Sequence, residues 1–206
     1  MSSRRLGVFG GTFDPVHSGH LVAAVSVRNA LELDEVIFVP TGHSWHKIPG
    51  PQAPAMDRLA MVNLAVADYE GFTSSTVDID RPGPTYTVDT LTDLQAQWHL
   101  DTPEDDASWF FITGADALAD VHNWKDPEGI ISRAQLVGVS RPGHVIATAP
   151  LLVGHSTVVE VATPDIASTQ IRERVHAGLS IEGLVPIVVA DYIAEHGLYR
   201  DHLVSA

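Results

Sequence analysis

A chain of 206 residues, 45% hydrophobic and 18% charged, is long enough to bury a real core and is expected to form one globular domain over 1–206. Its net charge of −14 excludes a broad basic face for nucleic acid, and the lack of cysteine excludes disulfides and cysteine-based metal sites. No apolar run reaches membrane-spanning length, and Met1 to Gly7 leads straight into a strand. Neither a signal peptide nor a membrane partner is expected, and the default location is cytoplasmic.

The first strand runs through Leu6, Val8 and Phe9. Gly10-Gly11 is expected to turn the chain sharply there and to bare backbone N–H groups to a ligand. Ser18 is the expected N-cap of a helix through Leu21–Leu31. His17 and His20, three residues apart, share one face of that helix, and Gly19 leaves room for a ligand between them. A glycine turn, a helix start and two imidazoles suit an anion, most simply a polyphosphate. A bare His-x-x-His would equally suit a wet surface or zinc. The zinc-protease pattern His-Glu-x-x-His is absent, and the spacing matches neither a Walker loop nor Gly-x-Gly-x-x-Gly.

Glu35–Pro40 is short, apolar and β-branched, so it reads as a buried strand. Strand–helix–strand with this connection predicts a right-handed parallel βαβ unit, with ligands beyond the carboxyl ends of the strands. Thr41–Pro54 is a loop holding His43, Trp45, His46 and Lys47, one of only two lysines in the chain. Met56–Ala67 is a helix for which core packing suffices, and Phe72–Asp80 is expected to be a strand. Pro82-Gly83-Pro84 makes a rigid turn, and Thr87 to Leu91 opens a helix. Asp101–Asp106 is a solvated acidic loop.

Trp109–Ile112 is the next buried strand, with Gly114 and Asp116 just beyond it. A carboxylate there can accept from sugar hydroxyls or cap the next helix. Trp124 offers a flat face for a ring or for packing. Ala134–Val139 is a strand ended by Ser140-Arg141-Pro142-Gly143, and Thr157–Val161 is the last one; 144–153 carries no motif. Ser168 or Thr169 caps a helix bearing Arg172, which makes a second anion cradle. A final helix ends at Gly197 and, with His196, is assigned to packing. The expected class is α/β: a Rossmann-like, doubly wound parallel sheet with a small C-terminal helical portion.

Gly10 to His20 resembles the Gly-x-(Thr/Ser)-Phe-Asp-Pro-x-His-x-Gly-His signature of a nucleotidyltransferase superfamily, whose paired histidines hold triphosphate. Ile166 to Arg172 resembles the same superfamily's Ile-Ser-Ser-Thr-x-Ile-Arg motif, with Ala167 replacing its first serine. Pro84 to Leu91 is similar to the Pro-x-Tyr-Thr-x-Asp-Thr-Leu segment of its nicotinate mononucleotide adenylyltransferase branch. Gly114-Ala115-Asp116, Trp124, Arg141-Pro142-Gly143 and the stretch from Val185 to Tyr199 match that branch too.

The resemblance implies catalytic roles for His17, His20 and Arg172. It implies ATP contacts from Gly10, Gly11, Thr12, Phe13, Lys47, Gly114, Asp116, Ser168 and Thr169, and mononucleotide contacts from Thr85, Tyr86, Thr87, Trp124 and Arg141. ATP and nicotinate mononucleotide are the implied substrates, with Mg2+ carried on ATP. Self-association stays open. Pantetheine-phosphate adenylyltransferase, a cytidylyltransferase and a catalytically dead nucleotide sensor are the neighbouring readings. Tyr86 to Asp89 speaks against the first, and the intact His17, His20 and Arg172 against the last.

Overall fold

The computed structural model describes residues 3–43, 52–102, 106–143 and 152–200. The apolar runs form six strands: β1 Arg4–Gly11, β2 Glu35–Pro40, β3 Phe72–Ser74, β4 Ala107–Gly114, β5 Gln135–Ser140 and β6 Ser156–Glu160. All pair in parallel, in the order β3-β2-β1-β4-β5-β6. The strand order reverses between β1 and β4, and such a switch point opens a crevice beyond the carboxyl ends.

The helices are α1 Ser18–Ala30, α2 Ala55–Val66, α3 Val77–Asp80, α4 Thr87–Asp101, α5 Ala115–Ala119, α6 Pro127–Arg133, α7 Ser168–His176 and α8 Ile187–Glu195. Alternate strand residues face opposite ways, and this divides the core. Phe9, Val36, Phe38, Phe110 and Ile112 pack with α1, α2, α7 and α8. Leu6, Val8, Trp109, Phe111 and Leu136 pack with α3, α4, α5 and α6. Among the described residues no helix is long and apolar enough to cross a membrane.

The structure corrects several local expectations. The strand expected over Phe72–Asp80 stops at Ser74, and α3 follows. Thr76 donates to Asp80 at 2.6 Å, and Arg81 Nη1 to Asp78 at 3.0 Å. A helical turn brings residues three and four apart together, as an extended strand does not, so these polar partners override the strand pattern. Ser18 and Ser168 are first-turn residues, while His17 and Ala167 occupy the cap positions. The Ser18 amide donates to the Leu184 carbonyl at 3.0 Å, so it does not aim at a ligand. The unforeseen α6 carries ordinary start signals: Asp126 accepts from the Gly129 amide at 3.0 Å, and Pro127 opens the helix.

The turn after β1 is held by two buried ions. Asp14, 4% exposed, accepts from the amides of Gln52 (2.8 Å) and Ala53 (3.1 Å) and from the Tyr199 phenol (2.8 Å). Arg58, 1% exposed, donates to the carbonyls of Ala53 (3.3 Å), Thr12 (2.7 Å), Thr41 (2.6 Å) and Gly42 (3.3 Å). Burial presses the Arg58 pKa down, while Asp14 and Tyr199 act to raise it. Removing one member of such a group leaves buried polar atoms unpartnered. Arg58→Met is therefore expected to lower unfolding stability by about 3–5 kcal/mol. Arg4→Ala, which loses a solvent-accessible pair with Glu35 and a guanidinium 5.5 Å over the Trp98 ring, is expected to cost about 1 kcal/mol. Chemical denaturation of both variants checks the contrast, and equal losses would contradict it.

Candidate active site

Two cavities open at the carboxyl edge of the sheet. The first, about 410 Å³, is lined from the end of β1 and the turn after it by Gly10, Gly11 and Thr12, and from α4 and its approach by Thr85, Tyr86, Thr87 and Thr90. Phe111, Thr113, Trp124 and Lys125 complete its other wall. The second, about 310 Å³, is lined by Gly114, Ala115, Asp116, Val139, Ser140, Arg141 and Thr163. Thr113 faces one cavity and Gly114 the other, so the end of β4 is their shared partition.

The expected groups divide between the cavities with one exchange. Thr85, Tyr86, Thr87 and Trp124 stand together, as expected for one ligand. Arg141, grouped with them on sequence, instead joins Gly114 and Asp116 in the second cavity, where its Nη1 pairs with Asp165 at 2.8 Å. The reason is topological: Arg141 follows β5, on the far side of β4 from β1.

The glycines act differently from the expectation. Gly10 and Gly11 are the last residues of β1, and the sharp turn falls at Phe13, whose φ is 47°. A Cβ on Gly11 would lie 2.8 Å from the Phe13 ring, and one on Gly10 would lie 3.0 Å from Phe111. They are small so that aromatic rings can close over the strand end. Phe13 itself is 2% exposed, packed against Phe9, His20 and Phe38, so its side chain belongs to the core. Gly19 makes room for His17: a Cβ there would sit 3.1 Å from that ring.

His17 and His20 stack, with centroids 3.7 Å apart and planes 22° from parallel. The His17 amide donates to His20 Nδ1 at 3.2 Å, which places the proton of a neutral His20 on Nε2. His17 is 7% exposed, and its Nδ1 has no partner among the described residues. Burial brings its pKa down from 6.5 to about 4.

The start of α7 docks on the turn just before these rings. Ser168 Oγ donates to the Pro15 carbonyl at 3.0 Å, and Arg172 Nη1 to that of Asp14 at 2.7 Å. Arg172 Nη2 reaches Thr169 Oγ1 at 3.3 Å, and the guanidinium lies 3.9 Å from the Asp14 carboxylate. Thr169 and Arg172 line a third cavity, about 670 Å³, with Gln52, His176, His196 and Tyr199. Lys47 lies outside the described residues, as does most of 144–153.

Sequence reasoning missed three residues that shape the site. Arg58 stands on a helix assigned to packing; a lone arginine among Leu59, Met61 and Val62 was the available signal. Tyr199, assigned to packing, reaches Asp14 across the whole chain. Lys125 lines the first cavity beside Tyr86, and only the fold brings it there.

A family model described as cytidylyltransferase-like matches residues 8–174. The probable nicotinate-nucleotide adenylyltransferase of Leifsonia xyli subsp. xyli is 49% identical over 199 residues, covering 97% of this chain and 96% of that one. The protein of the same description from Acidothermus cellulolyticus is 49% identical over 197 residues, covering 95% and 94%. Among solved structures, Plasmodium falciparum nicotinic acid mononucleotide adenylyltransferase complexed with NaAD aligns with a TM-score of 0.69. That alignment has 16% identity and covers 95% of this chain and 97% of that one, which supports the fold. From these likenesses the chain belongs to the cytidylyltransferase-like family and, within it, to the nicotinate-nucleotide adenylyltransferases.

Proposed function

We propose that this chain joins ATP and nicotinate mononucleotide into nicotinic acid adenine dinucleotide, releasing pyrophosphate, as a step of NAD synthesis. The observation that carries the reading is the pair of cavities meeting at the end of β4. An aromatic- and threonine-lined one suits the mononucleotide, and one with Asp116 and Arg141 suits a nucleotide's sugar and phosphates. The names of relatives at 49% identity support it.

The mononucleotide's phosphate oxygen attacks the α-phosphorus of ATP, a new P–O bond forms in line, and the bond to pyrophosphate breaks. No protein nucleophile is needed, so catalysis rests on positioning and on charge neutralisation. In this reading His17 and His20 hold the triphosphate, together with Thr12 and the backbone at Gly10 and Gly11. Ser168, Thr169 and Arg172 close on the β- and γ-phosphates, with Lys47 approaching from its loop. Gly114 and Asp116 take the adenosine sugar with Arg141 beside them. Thr85, Tyr86 and Thr87 meet the nicotinate end, and Trp124 offers its face to the pyridine ring. Mg2+ comes with ATP as part of the substrate, because it favours phosphate oxygens and water. Residues 1–206 act as one cytoplasmic catalytic domain in this proposal.

The test is pyrophosphate release with ATP and magnesium, comparing nicotinate mononucleotide, nicotinamide mononucleotide and phosphopantetheine as acceptors. Preference for the first is expected. Release with phosphopantetheine alone, or with none of the three, would overturn the reading. His20→Ala should lower kcat at least about 100-fold while the chain still folds; near-normal turnover would remove His20 from the chemistry.

His17 adds a pH signature. Its folded pKa of about 4 lies below the ordinary 6.5, so between those values the unfolded chain binds the proton and the folded chain does not. Stability is therefore full above 6.5 and falls as pH drops toward 4, by about 3 kcal/mol across the window. Ligand-free His17→Asn, unfolded over the same range, should show a shallower fall. A parallel curve would deny His17 this burial.

A further inference from the structure

One cationic side chain of the first cavity is left unused by the roles given above. Lys125, next to Trp124, is the one lysine or arginine among that cavity's described lining residues. Its Nζ lies 2.8 and 3.1 Å from the two carboxylate oxygens of Asp89 and 4.7 Å from the centroid of the Tyr86 ring. Tyr86 caps α4 and Asp89 lies in its first turn, beside Thr85 and Thr87. Thr85 Oγ1 is buried and has no hydrogen-bond partner among the described residues. One end of the cavity thus gathers an orphaned hydroxyl, an aromatic ring and an ammonium group.

The ammonium is not locked in place. Its side chain is 49% exposed and that of Asp89 32%, and exposed ion pairs are weakly held. A four-carbon stem lets Nζ share or exchange its carboxylate with a ligand's. The two other charged side chains among the described lining residues are acidic. Asp78 accepts from Arg81 and Thr90, and Asp120 from Asn123. Without Lys125 the wall would repel an anionic ring. Pyridine-3-carboxylate is such a ring, whereas the carboxamide is neutral and turns two N–H donors toward whatever it meets.

We infer that Lys125 is a specificity-determining residue, whose ammonium reads the ring carboxylate of the mononucleotide and sets the preference for the acid over the amide. The inference rests on the adenylyltransferase reading and on the mononucleotide occupying this cavity. Thr85 Oγ1 serves as a second donor to the same carboxylate.

The experiment is kcat/KM for nicotinate and nicotinamide mononucleotide, with saturating ATP and magnesium, in the parent, Lys125→Met, Lys125→Arg, Asp89→Asn and His20→Ala. Lys125→Met should lower the acid-to-amide ratio at least about tenfold, chiefly through a higher KM for the acid. Lys125→Arg should retain most of the ratio. Asp89→Asn frees the ammonium and should hold or raise it. His20→Ala should reduce both rates and leave the ratio alone. A ratio within about twofold of the parent in Lys125→Met would overturn the inference. So would an equal fall in Asp89→Asn, which would make the ion pair a tie between Trp124 and α4. A parent chain that does not turn over nicotinate mononucleotide would overturn the functional reading itself and this inference with it, a result distinct from a flat ratio in an active enzyme.

Discussion

A carboxylate cut off from water organises this site. Burying an ionised carboxyl is costly unless it finds donors and an opposite charge, and Asp14 draws these from three distant stretches. Gln52 and Ala53 come from the approach to α2, Tyr199 from the end of the described chain, and Arg172 from α7. Satisfying one charge therefore brings loop, C-terminal segment and α7 onto the turn that follows β1. Arg58 is the complement, a buried donor set that gathers the carbonyls after β1 and β2. Burial and the neighbouring Asp14 drive the Tyr199 phenol pKa well up, so it remains a hydrogen-bond donor to the carboxylate.

Holding that turn fixes the two histidines proposed to touch phosphate. His17 follows Asp14 by three residues, and its stacking on His20 leaves little freedom in either ring. Phe13, forced to φ 47°, drives its ring into the core against His20 and so braces the second histidine from below. The glycines at the end of β1 serve this packing first. In a chain of net charge −14 the long-range field opposes an anionic ligand, so attraction must come from donors held at short range. A rigid turn is how so acidic a protein supplies them.

Much of this was legible in the sequence, and the reason is locality. Buried parallel strands read as apolar runs, and the Gly10–His20 stretch carries its spacing in consecutive residues, so sheet, βαβ units and histidine pair followed directly. What was not legible depends on partners far along the chain. The strand expected through Asp80 ended early because Arg81 and Thr90 capture Asp78. Gly42 takes part in that closure: a Cβ there would stand 2.1 Å from the Asp78 carbonyl oxygen. Arg141 looked like a mononucleotide contact because Arg-Pro-Gly is a strand-end motif, yet only the strand order says which side of β4 it faces. The partners of Arg58 and Asp14 lie as many as 46 and 185 residues away, beyond any local pattern.

The distribution of cations completes the picture. Only 12 lysines and arginines serve the whole chain, and the site uses them singly. Arg172 stands at the α7 side, Arg141 beyond β5, and Lys125 at the Tyr86 end of the first cavity, while Arg58 is spent wholly on backbone carbonyls. Each outward-facing one is paired with a carboxylate: Asp14, Asp165 and Asp89 respectively. Such pairing keeps a lone guanidinium or ammonium from collecting arbitrary anions, because a ligand must compete with the resident carboxylate and gain its advantage from several contacts at once. In the proposed reaction, a substrate pair that presents phosphates and a ring carboxylate at the right separations meets all three cations together. An anion that matches only one of them displaces only one carboxylate. Selectivity in so acidic a protein then comes from the spacing of a few paired charges along the edge of the sheet.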